Sequence, residues 1–85
     1  MQLQIKFTEE GKNSLHKLHI NIQKEVKEYL KKLASGQLKG KALIAQLLGF
    51  YTLAVNNYRV IYSKNTEQII VHHVGHRRDV YSDFK

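Results

Sequence analysis

Phe50-Tyr51-Thr52-Leu53-Ala54-Val55-Asn56-Asn57-Tyr58-Arg59-Val60-Ile61-Tyr62 is two strand-like runs around two asparagines. Asparagine tolerates positive φ, so Asn56-Asn57 suits a tight primed hairpin turn. A two-residue turn fixes the register: Val55 opposite Tyr58, Leu53 opposite Val60, Tyr51 opposite Tyr62. Those six side chains form one apolar face, and Tyr51, Tyr58 and Tyr62 are read as core. The other face carries Thr52, Ala54, Arg59 and Ile61, so Arg59 points away from the core.

Working outward, Leu3, Ile5 and Phe7 alternate with polar residues over 2–7, the pattern of a half-buried strand. Thr8 before Glu9 and Glu10 reads as a helix cap with acids in the first turn. A first helix over about 9–18 presents Leu15 and Leu18. Asn21 is a candidate cap for a second, in which Ile22, Val26, Tyr29, Leu30 and Leu33 recur at helical spacing and Gly36 marks the stop. Residues 37–46 read as a loop with Leu38 and Leu43 dipping inward. Lys64-Asn65-Thr66-Glu67 turns the chain into a last strand, Gln68 to Val74, and a tail runs from Gly75 to Lys85. The order β-α-α-β-β-β gives an α+β fold: an antiparallel sheet with an αα-hairpin on one face and the other face open.

The chain has 85 residues and no linker or repeat, so residues 1–85 are expected to be a single domain. Chains this short bury only about 60–65% of the surface exposed when unfolded. Hydrophobic residues make up 42%, enough for a packed domain. With no cysteine there is no disulfide and no thiol nucleophile or ligand. No apolar run is long enough to span a bilayer, and the alternating N-terminus lacks a signal-peptide core, so a cytoplasmic protein is expected.

Fourteen Lys and Arg against seven Asp and Glu give a net charge of +7, which favours polyanionic partners. Six of the lysines lie between Lys24 and Lys41, largely off the apolar stripe of the second helix. The arginines are different: all three fall in the last 28 residues, within Tyr58-Arg59-Val60-Ile61-Tyr62 and Gly75-His76-Arg77-Arg78-Asp79-Val80-Tyr81. Planar guanidinium forks suit phosphate oxygens, histidine titrates near neutrality, and tyrosine rings stack on bases. Arg78 is expected to pair with Asp79 or Asp83, or to contact RNA, as are Lys41 and Lys64. His16 and His19 read as helix-surface residues. His72 and His73, adjacent on a strand, should point to opposite faces, and no acid or cysteine completes a metal set; neither metal nor cofactor is expected.

These residues resemble the RelE/ParE superfamily of bacterial toxins. The likeness rests on Leu48-Gly49-Phe50-Tyr51, Tyr58-Arg59-Val60-Ile61-Tyr62 and Val74-Gly75-His76-Arg77-Arg78-Asp79-Val80-Tyr81, with the element order and length. The RelE branch is the more similar. That resemblance implies a RelE-like fold and the toxin of a type II toxin–antitoxin system, a metal-independent endoribonuclease cleaving mRNA in the ribosomal A site. It implies a RelB-like antitoxin with an acidic C-terminal segment, in a toxin–antitoxin hetero-oligomer, and no membrane partner. By the same resemblance Arg59 contacts the scissile phosphate, Arg77 stabilises charge, His76 transfers a proton and Tyr81 stacks on the reacting nucleotide. The pattern departs at Thr52 and Ala54, where relatives carry basic residues, which leaves the general base unassigned. A ParE-like toxin that binds DNA gyrase without catalysis, and a plain RNA- or ribosome-binding module, are the alternatives.

Overall fold

A computed structural model describes residues 2–84. Met1 and Lys85, expected in the first strand and the tail, lie outside the described residues. Strand β1 (Gln4–Phe7) leads into Thr8, whose hydroxyl accepts the Gly11 N–H at 3.0 Å and so caps α1 (Glu9–His16). Helix α2 (Ile20–Ala34) starts earlier than expected. Its cap is His19, not Asn21: the imidazole Nδ1 accepts the Asn21 N–H at 3.1 Å, the work of an Asx oxygen. Gly36, at φ 86, closes the helix because the left-handed region is open to glycine.

The hairpin forms in the expected register. Strands β3 (Tyr51–Val55) and β4 (Tyr58–Lys64) pair Tyr51 with Tyr62, Leu53 with Val60 and Val55 with Tyr58. Asn56 at the turn has φ 54. Two short elements lie in what reads as a loop over 37–46: β2 (Lys41–Ala42), paired with Tyr51 and Thr52, and a single 3-10 turn (Ala45–Leu47). Both are too short to leave a periodic signal. Strand β5 (Gln68–His76) outruns its expected end at Val74, and the tail forms α3 (Val80–Asp83).

The sheet order is β1-β5-β4-β3-β2. It is antiparallel except at β1, which runs parallel to β5 with Gln4 beside Gln68. Alternation shows which face of a strand is buried, not which neighbour it takes or in which direction. Leu15, Val26, Leu30 and Leu33 of the helices bury against Leu53, Val55, Val60, Tyr62, Ile69 and Val71. Fully burying each such aliphatic side chain contributes about 1.5–3 kcal/mol. Among the described residues no helix is long and apolar enough to cross a membrane.

Beyond the end of β1, helix α1 takes over the edge of β5. The Thr8 N–H donates to the Val71 carbonyl at 3.0 Å, and the Val74 N–H to Ser14 Oγ at 3.0 Å. A Cβ on Gly11 would overlap the Val71 carbonyl, so glycine is required by contact and not by φ. Gly11→Ala is expected to destabilise the fold by about 1–3 kcal/mol, as overpacking does; urea unfolding at neutral pH with an unchanged midpoint would contradict the close seat of α1 on β5.

Candidate functional site

Arg59 stands on β4 between Ala54 and Gly75, on the face away from the helices. Its Nη1 donates to the carbonyls of Asn56 at 2.8 Å and Tyr58 at 2.9 Å, which folds the guanidinium toward the hairpin turn. The Arg77 N–H donates to the carbonyl of Asn57 at 2.8 Å. The same turn therefore anchors the head group of one arginine and the backbone of the other. Arg77 and Arg78 are exposed. Among the described residues the one contact of a basic side chain with a carboxylate is between His73 and Glu10, so the expected pairing of Arg78 with Asp79 or Asp83 is not made. Arginine keeps its charge at neutral pH, so this end of the sheet presents unneutralised cations.

His76 faces the other way from Arg59. It lies opposite Tyr58 in the ladder, and its ring meets the Tyr58 ring edge-on at 5.5 Å. Tyr58 faces the helices with Val60 on alternate positions, and Arg59 between them faces the other way. Strand alternation thus puts His76 across the sheet from Arg59, in a groove of about 870 Å3 lined by Glu9, Asn13, Leu18, Tyr58 and Asp83. Alternation separates His76 from Arg59, while His76 stays beside the Arg77-Arg78 backbone. His76 Nδ1 accepts the Arg78 N–H at 3.2 Å, which leaves Nε2 as the protonated nitrogen of the neutral ring.

The face expected to be open is covered over β4 and β5. Ile61 and Val80 are fully buried, and Val80 sits against Gly75. Phe84 meets Phe50 edge-on at 5.2 Å, and Phe50 meets His72 at 5.0 Å. The tail carries apolar residues at 80 and 84, one helical turn apart, a spacing that marks an apolar stripe without saying what it packs against. Tyr81, on α3, remains 43% exposed.

A register shift between Ile61 and Tyr62 lets His73 pair with Ile61 and Val71 with Tyr62, leaving His72 as a bulge. Both imidazoles then reach the same side, each 6.2 Å from the Phe84 ring, where unbroken alternation would have split them. His72 Nε2 and Ser63 Oγ are 2.8 Å apart. Burial holds the His72 pKa below its usual 6.5, against the smaller opposing pull of Glu10. His73 Nδ1 lies 3.0 Å from Glu10 Oε2 but off the line of a hydrogen bond, so this buried nitrogen has no hydrogen-bond partner.

The two lysines part company. Lys41 on β2 is opposite Thr52, on the Arg59 side of the sheet. Lys64, at the far end of β4, sets its Nζ 4.8 Å from the Tyr51 ring centroid and borders a helix-side cavity with Leu3, Leu33 and Tyr62. It is remote from the arginines.

The result is a small α+β domain with cations gathered at one hairpin turn. The chain belongs to the RelE/ParE toxin superfamily: the family model described as the ParE toxin of type II toxin-antitoxin system, parDE, matches residues 5–81. Among solved structures, it is similar to the toxin-antitoxin complex RelBE2 from Mycobacterium tuberculosis, at 27% identity and a TM-score of 0.83, over 91% of this chain and 100% of that one. It is also similar to the RelB-RelE complex from Methanococcus jannaschii (24% identity, TM-score 0.70, 94% and 99% covered). A third likeness is to the YoeB-YefM complex from Staphylococcus aureus (19%, TM-score 0.72, 89% and 98% covered). The last two speak for the fold alone. No curated protein sequence matches.

His72 ties the stability of the covered face to pH. Its folded pKa is depressed, so below 6.5 the unfolded chain binds the proton that the folded chain refuses. Stability is therefore full above pH 6.5 and falls as pH drops through the folded value. Urea unfolding between pH 7.5 and 5.5 should show this loss, and His72→Gln should flatten it; an equally steep profile in the variant would remove His72 as its source.

Proposed function

We propose that this toxin is a ribosome-dependent, metal-independent endoribonuclease that cleaves mRNA in the A site and so inhibits translation. The observation that carries the reading is the Asn56-Asn57 turn, which holds the Arg59 guanidinium and the Arg77 backbone at one end of the sheet. In-line attack of a 2′-hydroxyl on the adjacent phosphorus needs charge on the phosphate, a base for the attacking proton and an acid for the leaving 5′-oxygen. Arg59 and Arg77 supply the charge, Tyr81 stacks from the exposed side of α3, and Arg78 and Lys41 hold neighbouring phosphates. With His76 facing away from Arg59, the 2′-hydroxyl proton passes to a basic group of the ribosome or to water, and the leaving 5′-oxygen takes its proton from the ribosome or solvent. The protein's place is the cytoplasm, where its target is.

Its partner is a RelB-like antitoxin with an acidic, amphipathic C-terminal segment, as the similar toxins are found in complexes named for both components. The charge of +7 steers that association, and exposed Ile20, Ile44 and Leu48 offer apolar anchors.

One observation favours a second reading. Thr52 and Ala54 place no cation on β3, and His76 is turned away, which suits a ParE-like toxin that binds DNA gyrase without cutting nucleic acid. Primer extension on mRNA from translating ribosomes separates the two. Wild-type protein should leave discrete A-site ends, and Arg59→Ala or Arg77→Ala should slow cutting by about 10²–10³ each, the usual cost of one donor to a developing oxyanion. Undiminished cutting by both variants would remove the clamp. Absent cutting with inhibited supercoiling would give the gyrase reading.

A further inference from the structure

The groove of about 870 Å3 where α1 and the tail meet β5 carries charge of the wrong sign for so basic a protein. Four of the chain's seven carboxylates line it: Glu9 and Glu10 from the first turn of α1, Asp79 and Asp83 from the tail. The N-terminus of α1 accounts for the first two, since acids are favoured in a first turn. It does not account for the tail's pair, and Asp79, although it precedes α3, makes no capping bond with its side chain. Lys17 is the one lysine or arginine on the wall, and among the described residues no lysine or arginine pairs with any of the four.

His73 is a second, independent observation. It is 9% exposed, it lines the same groove, and its Nδ1 has no hydrogen-bond partner. A buried polar atom left unpaired is costly. The atom nearest to it in charge, Glu10 Oε2 at 3.0 Å, is an acceptor. With the ring neutral and its proton on Nε2, two acceptors face each other, and a cationic N–H donor entering from the groove would satisfy both. Three residues further along β5, the position of His76 is paired with Tyr58, so a second aromatic and polar station stands about 10 Å away by strand rise. The Tyr58 ring also lines the groove, and an aromatic face attracts a cation.

We propose that this groove binds a linear polyamine, with one ammonium group between Glu10 and His73 and the next toward Tyr58 and the tail carboxylates. Among the described residues no three acidic or histidine side chains converge closely enough to hold a metal ion. The negative charge is spread along the groove and suits a cation that is spread as well. A second copy of this chain suits it less, because each copy carries +7 and repels the other. The proposal does not depend on RNA cleavage, since none of the groups it uses belongs to the arginine clamp.

Calorimetric titration of spermidine into RNA-free protein at low salt tests the site. Binding should saturate at one spermidine per chain and be tighter than that of magnesium ion. Asp79→Asn combined with Asp83→Asn should weaken it severalfold. Glu28→Gln, exposed on α2 and outside the groove, should bind as wild type does. Saturation should move the ring 15N resonances of His73 and leave those of His19, at the cap of α2, in place. The site is overturned if magnesium binds as tightly, if the double variant binds as wild type, if Glu28→Gln loses as much as the double variant, or if the His73 resonances stay still. Tighter binding of a trilysine peptide than of spermidine would overturn the free polyamine as the ligand.

Discussion

Everything at the candidate site depends on the two-residue turn at Asn56-Asn57. Asn56 accepts φ 54, and with that the strands must pair Val55 with Tyr58. A slip of one residue would carry Leu53, Val55, Val60 and Tyr62 from core to solvent, so the buried face and the turn enforce each other. The register also decides which way Arg59 faces. The turn's carbonyls then hold the Arg59 guanidinium and the Arg77 backbone, so the element that sets the fold also sets the charge.

The sheet has two cores. The larger lies under the helices. The smaller lies on the other face, where Ile61, Val80, Phe50, Phe84 and the two adjacent histidines pack together. The bulge at His72 makes the second core possible, since it brings His72 and His73 to one side. The tail thus covers β4 and β5, while Lys41 and Ala54 stay exposed along β2 and β3.

The helices, the hairpin register and the face of Arg59 were legible because periodicity and turn chemistry are local. Thr8 and Gly36 carried their helix boundaries for the same reason, whereas His19 hid its capping role because a ring nitrogen rarely serves there. The parallel pairing of β1, the two-residue β2 and the docked tail were not legible from local pattern. Each depends on contacts between distant segments, and Val80 and Phe84 declared only that something apolar waited to be covered. At the site, the face of Arg59 follows from alternation along β4, while the placement of His76 turns on alternation at the end of β5, beyond the Val74 where the periodic pattern ends. The bulge defeated the simple two-residue rule at His72 and His73.

The seam between β1 and β5 has a consequence for biogenesis. Its partners, such as Gln4 and Gln68, are separated by most of the polypeptide, and parallel pairing of this kind is reached late and slowly. While the chain is being made, its opening strand has nothing to lie against until β5 has left the exit tunnel. The cationic end therefore matures only after β5 has emerged, well behind the helices that precede it in the chain.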